Sequence, residues 1–301
     1  MPDATARELG EFGLIARVTE RLGSSAGILV GPGDDAALVV APDGRVVATT
    51  DVLVEGVHFR RDWSSAYDVG RKAAAASLAD VAAMGGTATA LLVGLAAPGD
   101  LPVDWAVGLA DGLRDESAVV GAVVVGGDTV SSERIVVSVS ALGDLAGRAP
   151  VLRSGAREGD LVVLAGDLGR SAAGLALLRA GEREGPLVDA HRRPTPPYAL
   201  GPVLADLGAT AMCDVSDGLL ADLGHVATAS GVAIVVDDVP LPDGVSREQA
   251  LTGGEDHALV ACLPSGTALP DGIRVIGRVE AGHGVTAAGS DARSAGWEHF
   301  S

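Results

Sequence analysis

Val81-Ala82-Ala83-Met84-Gly85-Gly86-Thr87-Ala88-Thr89-Ala90-Leu91-Leu92-Val93-Gly94-Leu95-Ala96-Ala97-Pro98-Gly99 is the longest uncharged stretch of the chain. It has the length of a membrane span. Gly85-Gly86, Thr87 and Thr89 in its middle point to a helix end, a loop and then a buried strand instead. The flanks agree with that reading. Upstream, Asp68 to Met84 carries apolar residues at helical spacing, as does Val103 to Val119 downstream. Ala36–Val40, Val46–Thr50, Ala90–Leu95, Ala122–Val125 and Ile135–Leu142 are short apolar runs bounded by Gly, Pro or Asp, and read as strands. Helix and sheet therefore alternate.

Between Asp144 and Asp160, Gly147, Pro150, Gly155 and Gly159 cluster among charged residues and mark a boundary, giving expected domains 1–146 and 147–301. Beyond it, strands are expected at Leu161–Ala165, Ala211–Asp214, Val232–Val236, Ala258–Leu263 and Ile273–Val279. Helices are expected at Ser171–Arg179 and Leu219–Ala229, with Arg192 to Pro197 a proline-stiffened crossing. The expected fold class is α/β (α+β) in two domains.

Composition narrows the function. Of 301 residues, 48% are hydrophobic but only 3% aromatic, and 42 are Gly, so small residues must do much of the packing. Lys and Arg number 22 against 40 Asp and Glu, a net charge of −18 that repels nucleic acid and anionic membranes. Cys213 and Cys262 are too few for a disulfide framework, and Met1 to Glu8 lacks a basic region followed by an apolar one. A reducing cytoplasm is the expected location.

Most carboxylates of an acidic protein lie on solvated faces. Asp34 and Asp35, Asp51, Asp80, Asp128, Asp214 and Asp217 are instead set among small or apolar residues, mostly at expected strand ends. Any one of them has a turn or helix-cap explanation. Together they suggest a ligand crevice, and clustered carboxylates need a positive partner. The one lysine, Lys72, has no Gly-rich loop before it and no Ser or Thr after it, so neither a P-loop nor a protein-kinase arrangement is present. An all-oxygen donor set favours a hard ion, Mg²⁺ or Ca²⁺, and several Mg²⁺ ions would hold a polyphosphate. Gly126-Gly127 and the start of the helix after Asp217 offer backbone amides to phosphate. Arg153 offers a guanidinium, or a surface ion pair. His58 reads as a structural donor on position alone, Gly253-Gly254-Glu255-Asp256-His257 as a turn, and Trp297 as a tail anchor or a stacking surface.

An ordered set of motifs carries a family resemblance from residue 11 to 300. It begins with Glu11-Phe12-Gly13-Leu14-Ile15, Gly33-Asp34-Asp35-Ala36-Ala37, Thr49-Thr50-Asp51 and Glu55-Gly56-Val57-His58-Phe59. Ser77-Leu78-Ala79-Asp80 and Gly126-Gly127-Asp128-Thr129 follow, then Arg153-Ser154-Gly155-Ala156, Asp214-Val215-Ser216-Asp217-Gly218-Leu219, Gly253-Gly254-Glu255-Asp256 and Gly296-Trp297-Glu298-His299-Phe300. The set resembles the thiamine-monophosphate kinase family, of the superfamily that includes aminoimidazole ribonucleotide synthetase.

The resemblance implies in-line phosphoryl transfer from ATP to thiamine monophosphate with Mg²⁺ and without a general base, since the acceptor oxygen is already ionised. It implies Asp35, Thr49, Thr50, Asp51, Asp80, Asp128, Asp214 and Asp217 as metal ligands, and Gly127, Asp128, Arg153 and Ser216 as ATP contacts. His58, Glu255 and Trp297 would contact thiamine monophosphate. It also implies an N-terminal mixed-sheet domain that forms a barrel across a homodimer, and a C-terminal α/β domain. His257 stands where the family often has Tyr, and Trp297 where some relatives have Tyr. A superfamily cyclase or synthetase would share the metal ligands but not the Gly-Gly-Glu-Asp or Gly-Trp-Glu-His-Phe motifs. The reading from another class is a non-catalytic nucleotide- or cation-binding protein.

Overall fold

The computed structural model describes residues 5–32 and 37–287, and the chain divides into two compact units. The first comprises residues up to Val81 together with Thr87–Ala146, and the second Ala82–Gly86 together with the chain from Gly147 on. Asp34, Asp35 and Trp297 lie outside the described residues. Among the described residues, no helix is long and apolar enough to cross a membrane.

The first unit opens with two helices, α1 (Ala6–Leu9) and α2 (Glu11–Thr19), and a two-stranded ribbon of β1 (Ile28–Val30) and β2 (Leu38–Val39). Then come β3 (Val47–Val54), α3 (Ala66–Ala83), β4 (Thr87–Ala97), α4 (Val103–Ala118), β5 (Val123–Ser131) and β6 (Val136–Asp144). The four long strands form one sheet in the order β3-β6-β4-β5, antiparallel except for the β4–β5 pair. Ser65 and Asp68 exchange hydrogen bonds at the start of α3 and satisfy amides that the first turn leaves over. Small residues set the packing: Ala73, Ala74, Ala75, Ala79 and Ala82 of α3 are buried. Where α3 meets α4, a methyl group on Gly70 would stand 2.2 Å from the Leu109 carbonyl oxygen, and one on Gly112 would stand 2.1 Å from that of Tyr67. Only glycine lets the two backbones approach so closely.

Several strand bounds differ from those expected, and two strands run well past the ends the sequence sets for them. The sequence ends the Val46–Thr50 strand at Thr50 and the Ala122–Val125 strand at Val125, yet β3 continues through Asp51 to Val54 and β5 through Asp128 to Ser131. Both are edge strands of the sheet. An edge strand tolerates polar side chains while its backbone still pairs inward, so a rule that stops at the first carboxylate cuts it short.

The second unit runs β7 (Leu161–Ala165), α5 (Arg170–Arg179), α6 (Pro186–Arg192), α7 (Leu200–Asp206), β8 (Ala211–Asp214), α8 (Leu219–Ser230), β9 (Ala233–Val236), α9 (Arg247–Thr252), β10 (Leu259–Leu263), β11 (Ile273–Glu280) and β12 (Gly284–Ala287). Its six-stranded mixed sheet has the order β12-β9-β11-β7-β10-β8. Every residue of β10, inside the sheet, is buried, and so is every residue of β8 at its edge. Leu219, Leu220, Leu223 and Val226 of α8 pack on Val162, Leu164, Cys213 and Val260 in one apolar core. The Arg192-to-Pro197 crossing falls between α6 and α7, since proline cannot continue a helix there.

Candidate functional site

The register of the first sheet sorts the expected ligands by face. Successive residues of a strand point to opposite sides. Thr49 and Asp51 look toward α3: the Thr49 hydroxyl donates to Asp80 Oδ2 at 2.6 Å, and the Ser77 hydroxyl donates to Asp51 Oδ2 at 2.7 Å, also lying 3.0 Å from the Val139 carbonyl oxygen. Ser77 and Asp80 are three residues apart on α3 and therefore share one helix face. Thr50 faces the other way, where its hydroxyl accepts a hydrogen bond from Ser140 Oγ at 3.0 Å. In register, Val52 lies level with Ser138, Gly94 and Asp128, which puts Asp128 on the face of Thr50 and not on that of Asp51.

The sheet also separates these groups sideways. Asp51 and Asp128 stand on opposite edge strands with β6 and β4 between them, three strand spacings or about 14 Å. Gly127 holds the β5 edge in place. A methyl group there would stand 1.9 Å from the Val93 carbonyl oxygen, just beyond the bulge that leaves Val125 of β5 without a partner on β4. Asp128 is exposed, with Oδ1 accepting from the Thr129 amide at 2.8 Å.

His58 lies in the turn after β3. Its Nδ1 accepts from the Val54 amide at 3.0 Å, which leaves Nε2 as the protonated nitrogen of the neutral ring. Its carbonyl oxygen takes a hydrogen bond from the buried Lys72 ammonium at 3.1 Å, so the one lysine braces this turn.

In the second unit Asp214 ends β8, is 4% exposed, and its Oδ2 lies 3.0 Å from His257 Nδ1. The following loop carries Ser216 and Asp217 into α8. Sequence reasoning offered the amides at this helix start to phosphate, yet Asp217 N and Gly218 N both donate to Asp222 Oδ2 at 3.1 Å. Burial and the neighbouring Asp214 raise the Asp222 carboxyl to about 7. The Gly253–His257 turn is pinned to the same loop. Glu255 N donates to Ser216 O at 2.8 Å and His257 N to Val215 O at 3.0 Å, and a methyl on Gly254 would stand 2.2 Å from Ser216 O. Asp256 accepts from the Gly169 amide at 2.5 Å and the Ser171 amide at 2.8 Å, capping α5. Burial raises its carboxyl to about 6 against these two bonds. Arg153 is exposed, and its carbonyl oxygen accepts from Ser230 Oγ, which in turn accepts from Gly155 N and Ala156 N, each at 3.1 Å.

Among the described residues no three His, Cys, Asp or Glu side chains gather into a metal-binding group. The donors that do come together, Asp51 and Asp80 with Thr49 and Ser77 hydroxyls, are all oxygen. That chemistry fits Mg²⁺, which uses one or two carboxylates and completes its shell with water and phosphate. Sequence reasoning gave no role to Asp222, and it quoted Asp256 only within the Gly253–His257 turn without seeing it as the cap of α5. Asp222 carried one signal, an acid in the first turn of a helix.

Comparison with known proteins agrees with both units. Residues 33–145 match the N-terminal domain of AIR synthase related proteins and residues 157–289 the C-terminal domain. A thiamine-monophosphate kinase of Mycobacterium tuberculosis is 49% identical over 289 residues, covering 91% of this chain and 86% of the relative. The crystal structure of thiamine-monophosphate kinase from Stenotrophomonas maltophilia K279a is similar with a TM-score of 0.79 at 34% identity, over 93% of this chain and 95% of that one. The structure of AaThiL complexed with AMPPCP and TMP is similar with a TM-score of 0.80 at 37% identity, over 98% of each chain. With both domains matched in order and identity this high across nearly its whole length, the chain belongs to the thiamine-monophosphate kinase family of AIR synthase related proteins.

Proposed function

We propose that this protein transfers the γ-phosphoryl group of ATP to the phosphate of thiamine monophosphate, giving thiamine diphosphate and ADP. The observation that carries the reading is the all-oxygen pairing of Thr49 with Asp80 and Ser77 with Asp51 in a chain of this family. Asp51, Asp80 and Thr49 would hold Mg²⁺ on the α3 face, Thr50 and Asp128 on the other, with Asp35, Asp214 and Asp217 as further ligands. Mg²⁺ bound there would supply the charge that offsets repulsion between two phosphate anions and would stabilise the transferring group. Gly127, Asp128, Arg153 and Ser216 would contact ATP. The acceptor would meet His58 through Nε2–H, Glu255 through its carboxylate and Trp297 through its ring. A phosphate oxygen ionised at neutral pH needs no base, so these side chains serve to bind and orient.

The reading extends to a cytoplasmic homodimer. Asp51 and Asp128 sit too far apart within one sheet to share an ion, and a second copy that sets its β5 edge beside β3 would bring such a pair together. ADP formation that requires both thiamine monophosphate and Mg²⁺ is the expected result. ADP formed only with a formylglycinamidine ribonucleotide, or none with either acceptor, would overturn it.

A further inference from the structure

His191 is 5% exposed in the last turn of α6, and nothing in the proposed chemistry uses it. Its Nδ1 lies 2.9 Å from Ser171 Oγ and 3.6 Å from Glu255 Oε2. Ser171 is itself 1% exposed, and its amide donates to Asp256, the residue next to Glu255. The imidazole cannot drift. A methyl group on Gly174 would stand 2.0 Å from the Leu187 carbonyl oxygen and 2.9 Å from His191 Cβ, so α5 and α6 are in backbone contact where His191 leaves α6.

Glu255 needs such a support. It adopts φ +64°, a left-handed conformation that costs a non-glycine residue of order 1 kcal/mol or more. Its amide is tied to Ser216 and the residue after it to α5, so the backbone is fixed while the side chain remains 32% exposed. A half-exposed carboxylate on a rigid turn has several rotamers unless a neighbour selects one. The imidazole at its inner side is placed to do so.

We propose that His191, backed by Ser171, is the positioning residue for Glu255, holding its carboxylate toward the cationic, heteroaromatic end of the acceptor and so setting acceptor affinity. This rests on the reading of Glu255 as an acceptor contact. The inference concerns only the second unit, where His191, Ser171 and Glu255 all lie.

Steady-state kinetics of the full chain with His191→Leu, His191→Asn, Glu255→Gln and the His191→Leu/Glu255→Gln double variant test it. His191→Leu should raise KM for thiamine monophosphate about tenfold and leave KM for ATP within about twofold, and His191→Asn, whose amide can stand in for Nδ1, should recover most of the loss. The double variant should be no worse than Glu255→Gln alone, because both act through one contact. Equal rises in both KM values, multiplying single effects, or no recovery with Asn would overturn the positioning role. If Glu255→Gln leaves acceptor KM unchanged while His191→Leu raises it, the reading of Glu255 has failed, and the positioning role with it. Should His191→Leu fail to fold, Ser171→Ala replaces it, with an expected rise of about threefold in the same KM only and none as the overturning result.

Discussion

In the first unit Asp51 and Asp80 are met by the side-chain hydroxyls of Ser77 and Thr49, whereas in the second Asp222 and Asp256 are each met by two backbone amides. The partners tell the roles apart. A hydroxyl can rotate and turn from donor to acceptor when a cation arrives, so the carboxylate beneath it remains available. A backbone amide at a helix start cannot leave without breaking the loop it belongs to. All four residues are aspartates, and sequence alone does not separate them.

The strongest way to break this distinction is to neutralise one member of each class. Asp80→Asn and Asp51→Asn should lower Mg²⁺-dependent turnover about a thousandfold, since charge neutralisation is most of what the site contributes to phosphoryl transfer. Their urea midpoints should stay close to that of the parent chain. A variant that lost stability in step with activity would place these carboxylates with Asp222 and Asp256 instead.

A second variant tests whether the geometry around Asp128 is as rigid as the sheet implies. Gly127→Ala brings a methyl group to 1.9 Å from the Val93 carbonyl oxygen, and the β4–β5 pair must part to admit it. Overpacking of this kind costs about 3 kcal/mol, readable as a lowered urea midpoint. An unchanged midpoint would mean that the β5 edge yields easily.

The capping class should reveal itself by pH. The Asp256 carboxyl stands at about 6 in the folded chain against an ordinary 3.8. The folded state therefore binds a proton that the unfolded state has released. The group's contribution to stability is fully present below about pH 4 and is lost as pH rises through 6. Asp256→Asn does not titrate and leaves one amide without its acceptor, at a cost of about 1–3 kcal/mol. The stability advantage of the parent chain over this variant should be larger at about pH 4 than at about pH 7. A gap that widens with pH would show that the two amide bonds outweigh burial.

The sequence made much of this legible. Leu161–Ala165 and Ala211–Asp214 read as strands to the residue because each is a short apolar run closed by Asp or Gly. α6, α7 and α9 were not foreseen: each is six or seven residues long, too short for a periodic signal. For the site, motif order singled out Asp51, Asp80, Asp214 and Glu255. It could not say that Thr49 and Thr50 point apart, because that depends on the pairing of β3 with β6. It carried no sign of His191, which reaches Glu255 only through the packing of α5 on α6.

Those adjacent threonines give the finest test. Both are expected ligands, and they differ by one position on an edge strand, hence by the face they serve. Thr49→Val removes the hydroxyl that bonds Asp80 and should reduce activity about tenfold at limiting Mg²⁺, with partial recovery at saturating Mg²⁺. Thr50→Val removes a hydroxyl bonded to Ser140 and the Val139 carbonyl oxygen. If the α3 face carries most of the metal binding, it should cost less than about threefold under the same conditions. Equal losses would mean that both faces of β3 hold cations of comparable importance, and the weight would then shift to Asp128 and to whatever brings it opposite Thr50.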